Sequence, residues 1–211
     1  MVEYPVKRYV LGMTGASGQT IGLRVLQELA REAEVHLVVS SHAFFILREE
    51  TGIDFSGEHI SESQEKVRTH VGSRSVHLWD EHDMDAPAAS GSYPVDAMLV
   101  VPCSMKTLAA VASGFADTLI TRAADVTLKE GRRLVLSPRE TPLSAIHLEN
   151  MLKLARLGVR ICPPVAAFYS APQSIEDMVD FWAGKILDSL GVPHNAFRRW
   201  GAREPQKPPS L

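Results

Sequence analysis

Five apolar runs, Tyr9–Met13, Val35–Val39, Ala97–Val101, Leu134–Leu136 and Val159–Cys162, alternate along this chain with segments of helical period. Short runs of this kind, with no polar residue at every second position, suit strands covered on both faces, and strands separated by helices pair in parallel. The helical segments span 20–31, 43–50 and 175–190, with others starting near Lys106 and filling 142–157; Gly52 and Gly158 act as stops. Within 121–142 the chain reads as a helix, a strand and the start of the next helix, with Thr141 as the cap and Pro142 as the first residue of that last helix. The pattern predicts an α/β fold: a three-layer, doubly wound domain of Rossmann-like or flavodoxin-like type around a mainly parallel sheet. Residues 1–192 are expected to form this one domain. Residues 53–94 are polar and weakly periodic, and read as an excursion with a small helix and a substrate-side loop, Ala89-Ser90-Gly91-Ser92. Residues 193–211 read as a tail that docks on a neighbouring subunit, with Trp200 as its large aromatic.

Composition removes several classes of partner. The 211 residues carry a net charge of −3, so no basic excess exists to neutralise a nucleic-acid backbone. No apolar stretch approaches the ~18 residues a spanning helix needs, and the amino-terminal run is too short for a signal peptide. Cys103 and Cys162 lie beside prolines at strand ends and read as free buried thiols of a reducing compartment. A cytoplasmic protein with no nucleic-acid or membrane partner is expected.

Three strand ends carry ligand-type turns. Gly12-Met13-Thr14-Gly15-Ala16-Ser17-Gly18 joins the first strand to a helix; its small residues permit close approach and its amides open a helix. The spacing is not that of a dinucleotide fingerprint, and Ser40-Ser41 stands where a ribose-binding acid would sit, which favours a mononucleotide. Pro102-Cys103-Ser104-Met105-Lys106-Thr107 repeats the device at the third strand. At the fourth, Arg139 and Glu140 stand at a strand-to-helix corner. On the preceding helix Arg122 and Lys129, seven residues apart, share one face. Cations gathered at this edge with one acid suggest a phosphorylated ligand and proton handling, although Asp125 and Lys129 at i,i+4 would also suit a solvated face. His77 and His82 are five apart, poor spacing for one helical face, and no metal is expected. His147 reads as a core or interface residue.

In order along the chain, GASG at 15–18, ASGS at 89–92, PCS at 102–104, TRAADV-LKE at 121–130, PRETP at 138–142, HLENMLKL at 147–154 and FYSAPQS at 168–174 resemble the flavin prenyltransferases, the UbiX-like family. The resemblance covers nearly the whole chain. It implies FMN as a reduced substrate, dimethylallyl phosphate as donor, and prenylated FMN as the product handed to UbiD-type decarboxylases. Carried onto matching positions, Gly15, Ala16, Ser17, Ser40, Ser104, Met105, Lys106, Thr107 and Arg139 would bind FMN. Ser90, Arg122, Lys129, Tyr169, Lys185 and Trp200 would form the donor side. Ser17, Glu50, Arg122, Lys129 and Glu140 would be catalytic. Gly52 stands where the family often has aspartate after the Glu50-Thr51 pair. The family is oligomeric, which implies a homo-oligomer with active sites at subunit interfaces.

The implied chemistry is metal-free transfer from a monophosphate, and the chain lacks a DDxxD element for magnesium. Fixed cations would stabilise the departing phosphate, N5 of the flavin would attack first, and ring closure at C6 would follow. Ser17 would orient N5, Glu140 or the released phosphate would move the proton, and Trp200 or Tyr169 would face the allyl cation. Two rivals remain. One is an FMN-dependent decarboxylase of cysteine-type substrates, whose PxMNxxMW element is replaced here by Pro138–Pro142 and for which His42 is the only histidine in the early helical region. The other is a non-catalytic FMN-binding protein.

Overall fold

The computed structural model describes residues 6–199 and 201. Among them, six strands form one sheet: β1 Lys7–Met13, β2 Ala33–Val39, β3 Val76–Trp79, β4 Ala97–Cys103, β5 Arg133–Pro138 and β6 Arg160–Ile161. All neighbours pair in parallel, in the order β3-β2-β1-β4-β5-β6. The helices are α1 Gln19–Leu29, α2 Ser41–Thr51, α3 Ile60–Val71, α4 Met105–Ser113, α5 Leu119–Lys129, α6 Ala145–Arg156 and α7 Ile175–Leu190. The doubly wound three-layer expectation therefore holds, with a sheet that is wholly parallel.

Successive strand residues point to opposite faces and are buried on both. On one face Leu11, Leu37, Leu99 and Val101 pack against α1, α2 and α7 through Ile21, Val25, Leu26, Leu47, Ala183 and Leu187. On the other, Val10, Val38, Met98, Val100 and Leu136 pack against α4, α5 and α6 through Leu108, Leu119, Ala123 and Leu154.

Two stretches are corrected, residues 53–94 and the start of α6. Residues 53–94 do not leave the sheet: they supply α3 and the edge strand β3. β3 was hidden because it has four residues and only Val76 and Leu78 are buried, as suits an edge strand. Thr141 is not a helix cap. The Thr141–Pro142 peptide is cis, and α6 begins three residues later, where Ser144 accepts from the His147 amide (3.3 Å) and His147 Nδ1 accepts from the Ser144 amide (3.2 Å). His147 is thus half of a capping box and not a core residue. As far as Arg199 the tail also packs on α7 of its own chain, a contact compatible with docking on a neighbouring subunit. Asp188 of α7 accepts from Arg199 Nη2 at 2.9 Å and pairs with His194 Nε2 at 3.2 Å, and the Phe197 ring lies 4.9 Å from that of Phe181. Trp200 and residues 202–211 lie outside the described residues.

One polar network is built into the β2–β3 edge. His36 is 2% exposed, and its Nδ1 accepts from the Trp79 indole at 3.0 Å. Indole N–H can only donate, so Nδ1 carries no proton and the imidazole proton sits on Nε2. That nitrogen faces Tyr93 Oη at 3.1 Å and Glu34 Oε1 at 3.3 Å. Burial pushes the His36 pKa down, against the pull of Glu34.

Candidate active site

The strand order reverses direction between β1 and β4, and in open α/β sheets a ligand crevice opens at the carboxyl ends of strands at such a point. A concavity of about 300 Å3 lies there, lined by Gly15, Ser40, Ser104, Lys106 and Thr107 among others. Five of the predicted nucleotide-binding positions thus share one crevice. Arg139 joins this edge through its amide, which donates to the Cys103 carbonyl at 3.2 Å.

The two turns flanking the crevice are tied together by a residue that the motif reading passed over. Thr14 Oγ1 donates to the Pro102 carbonyl and accepts from the Ser104 amide, both at 2.8 Å. Gln19 is fully buried beneath the glycine turn, with Nε2 donating to the carbonyls of Thr14 (2.9 Å) and Ala16 (2.7 Å). Ser41, His42, Glu81, Asp117, Thr118 and Thr121 also line the crevice. Thr118 and Thr121 form the capping box of α5, a signal legible in principle, whereas Glu81 and Asp117 come from loops with no local pattern.

Glu50 takes a different place from that of a group facing a reactant. Its carboxylate reaches from α2 to the start of α1 and accepts from the amides of Gly18 (3.0 and 3.1 Å) and Gln19 (2.9 Å). Gly18 is the α1 N-cap, with φ of 98°, and has no side chain with which to cap. Glu50 supplies the missing acceptor and the negative charge that a helix start favours. The two other helix starts at the crevice that begin with serine are capped locally: Ser40 accepts from Ala43 and Ser104 from Thr107, both at 3.3 Å. In α4 the Met105 and Lys106 amides come before any intrahelical partner, which leaves them available as donors.

Among the described residues, two buried polar atoms at this edge have no hydrogen-bond partner, Arg139 Nε and Gln19 Oε1. A buried guanidinium N–H without an acceptor is costly unless a ligand completes it. Together with the strand-end hydroxyls, it is a donor set suited to an anionic, hydroxyl-bearing ligand such as FMN. Glu140 is exposed, and its Oε1 accepts from the Thr141 amide at 3.0 Å.

The remaining predicted residues form two other groups. Arg122 and Lys129 lie on α5, beside the 89–92 loop: Arg122 Nε donates to the Ala89 carbonyl at 3.1 Å. Arg122 pairs with Asp125 (2.9 Å) and Lys129 with Glu130, so the expected Asp125–Lys129 pair does not form. Ser90 Oγ lies 2.8 Å from Ser92 Oγ. Tyr169 and Lys185 belong to the opposite face of the sheet. The Tyr169 ring packs edge-on against Phe181 of α7 at 5.9 Å, and Lys185 of α7 lies 3.7 Å from Asp188. Within one chain the sheet stands between α5 and α7, and these two groups are not in contact. The cysteines take no part: burial pushes the Cys103 thiol up to about 12 and raises Cys162 as well.

Fold and crevice together define a mononucleotide-binding α/β domain. The Flavoprotein family model matches residues 2–187. The chain is 46% identical over 204 residues to the flavin prenyltransferase UbiX of Alkalihalophilus pseudofirmus, covering 95% of this chain and all of that one. Among solved structures it resembles AnUbiX in complex with FMN and dimethylallyl pyrophosphate: 47% identity, TM-score 0.81, and 94% of this chain against 100% of that one. It also resembles a dodecameric FMN-dependent UbiX-like decarboxylase from Escherichia coli O157:H7: 43% identity, TM-score 0.82, and 92% against 100%. The chain belongs to the UbiX flavin prenyltransferases, within the Flavoprotein family.

Proposed function

We propose that this protein joins a dimethylallyl group from dimethylallyl phosphate to reduced FMN, in sites assembled from more than one copy of the chain. The observation that carries the flavin half is the switch-point crevice lined by strand-end hydroxyls, with Arg139, whose buried Nε has no partner among the described residues, tied to the same edge through Cys103. Gly15, Ala16, Ser17, Ser40, Ser104 to Thr107 and Arg139 hold the flavin. When bound, reduced FMN supplies the nucleophile, N5 first and C6 second.

The donor half follows from charge. Breaking an allylic C–O bond leaves the electron pair on phosphate, and fixed cations stabilise that charge most in a site closed to water. Arg122 and Lys129 provide them from α5, with Ser90 as a hydroxyl contact; Lys185 and Tyr169 come from α7. Because the sheet separates α5 from α7, a site needing both draws them from different copies. Exposed apolar side chains support association: Ile146, Leu148 and Leu152 on α6 are 50–68% exposed, and Phe168 is 77% exposed. The dodecameric relative fits the same picture. Ser17 orients the flavin, Glu140 moves the proton, and Glu50 acts through the turn it caps.

The product serves a UbiD-type decarboxylase. Among the described residues no helix is long and apolar enough to cross a membrane. The free thiols Cys103 and Cys162 suit the reducing cytoplasm.

The test is anaerobic incubation with reduced FMN and dimethylallyl phosphate, followed by mass measurement of the extracted flavin. A dimethylallyl adduct is expected. Unchanged flavin, where FMN binding is demonstrated, refutes the reading, and CO2 release from a cysteine-terminated substrate instead would establish the decarboxylase rival. Glu140→Gln should keep FMN bound and slow adduct formation; an unaltered rate removes Glu140 from the mechanism.

A further inference from the structure

Arg132 stands just past the end of α5, outside every motif that pointed to the site. Its guanidinium is half-buried and close enough to Glu130 to help lower that carboxyl's pKa, but its hydrogen bonds go to backbone. Nη2 donates to the Gly91 carbonyl at 2.7 Å and Nη1 to the Tyr93 carbonyl at 3.0 Å. With Arg122 Nε on the Ala89 carbonyl, two arginines hold the backbone on both sides of Ser90. An independent observation shows how tightly the loop is drawn in. A Cβ at Gly91 would collide with Glu130 Oε1 and lie 2.7 Å from Lys129 Nζ. The loop backbone therefore rests directly on the Lys129–Glu130 pair.

We infer that Arg132 is a positioning residue for the donor phosphate: it fixes the Ser90 hydroxyl relative to the Lys129 ammonium. The inference rests on the reading that Ser90, Arg122 and Lys129 receive that phosphate. Arg132 itself spends its donors on backbone carbonyls, so its role is geometric and not a further charge in the seat. A planar fork can span two carbonyls, whereas a lysine ammonium on a flexible stem cannot hold both in the same fixed geometry. Arg132→Lys keeps the charge and removes the span.

The experiment measures three constants in the full-length oligomeric enzyme: KM for dimethylallyl phosphate, competitive inhibition by inorganic phosphate, and the FMN dissociation constant. For Arg132→Lys, KM and the phosphate inhibition constant should each rise about tenfold, as expected for a lost charge-assisted hydrogen bond. Rate at saturating donor and FMN affinity should stay within about twofold, since the flavin crevice lies elsewhere. Gly91→Ala puts a methyl group where Glu130 Oε1 and Lys129 Nζ lie; these flexible ends give way, which moves the Lys129 ammonium relative to Ser90 and should give the same split. Unchanged KM and phosphate inhibition in Arg132→Lys would overturn the inference. So would a loss of FMN affinity of equal size, which would mark general damage. Lys129→Ala separates the two levels: if it leaves KM unchanged, the phosphate-site reading falls and Arg132's role with it. If it raises KM while Arg132→Lys does not, only the positioning role falls.

Discussion

Replacing Glu50 asks whether this acid acts on the reaction directly or through the glycine turn. Its carboxylate accepts from two amides of the first turn of α1, at 2.9 to 3.1 Å, where Gly18 has no cap of its own. A hydrogen bond to a charged acceptor is worth about 1.5–3 kcal/mol when sheltered. Glu50 is exposed, so water recovers part of that for the freed amides. An exposed cap together with its dipole term is worth about 1–2 kcal/mol. For a chain of this size Glu50→Ala should lower Tm by about 2–8 °C, and Glu50→Gln, which keeps one acceptor but loses the charge, by about half as much. The assay is thermal unfolding of the flavin-free protein, paired with FMN titration and the rate of adduct formation. Capping predicts that the loss of Tm appears without flavin and that weaker FMN binding accompanies it. If Tm and FMN affinity stay at wild-type values while the rate at saturation collapses, the capping argument is wrong and Glu50 acts chemically.

Two further outcomes follow from packing. His36 is held neutral by the Trp79 indole, and burial depresses its pKa below the ordinary 6.5. Its contribution to stability is therefore complete above that value and is lost as pH falls through it, by at most about 1.4 kcal/mol per pH unit. Urea unfolding at pH 7.5 and 5.5 should show this loss in the wild type and a flatter dependence in His36→Gln; equal slopes would contradict the depressed His36 pKa. Gly184→Ala places a methyl group against the Phe197 ring and should release residues 193–199 from α7, at a cost of about 1–3 kcal/mol. Faster tryptic cleavage after Arg198 is the readout, and wild-type cleavage kinetics would mean the tail docks elsewhere.

What was legible in the sequence was whatever is local. The central strands announce themselves because burial on both faces demands unbroken apolar runs. The turns at Gly15, Ser40 and Ser104 are readable because strand-end hydroxyls and small residues have few other uses. β3 escaped because an edge strand buries only alternate residues, here Val76 and Leu78. The α6 start was misplaced by three residues because Thr141-Pro142 looks like a cap followed by a first-turn proline, yet the peptide is cis and Ser144 caps instead. Long-range roles were beyond reach. Thr14 joins two turns 88 residues apart, and Glu50 caps a helix that begins 31 residues before it. Neither spacing has a local signature. The separation of Arg122 from Lys185 follows from which face of the sheet each helix covers, and no motif records that.

That separation has a consequence for inheritance and not only for chemistry. If each site takes α5 cations from one copy and α7 groups from another, damage to the two sets is not equivalent to damage to one gene product. A chain lacking Lys129 and a chain lacking Lys185 would each be inactive alone. In a mixed assembly, some interfaces would pair the intact α5 of one with the intact α7 of the other. Two defective alleles would then complement, and a single defective allele would spoil sites on its healthy neighbours. The sheet that keeps the halves apart in one molecule would thus make activity a property of the population of chains.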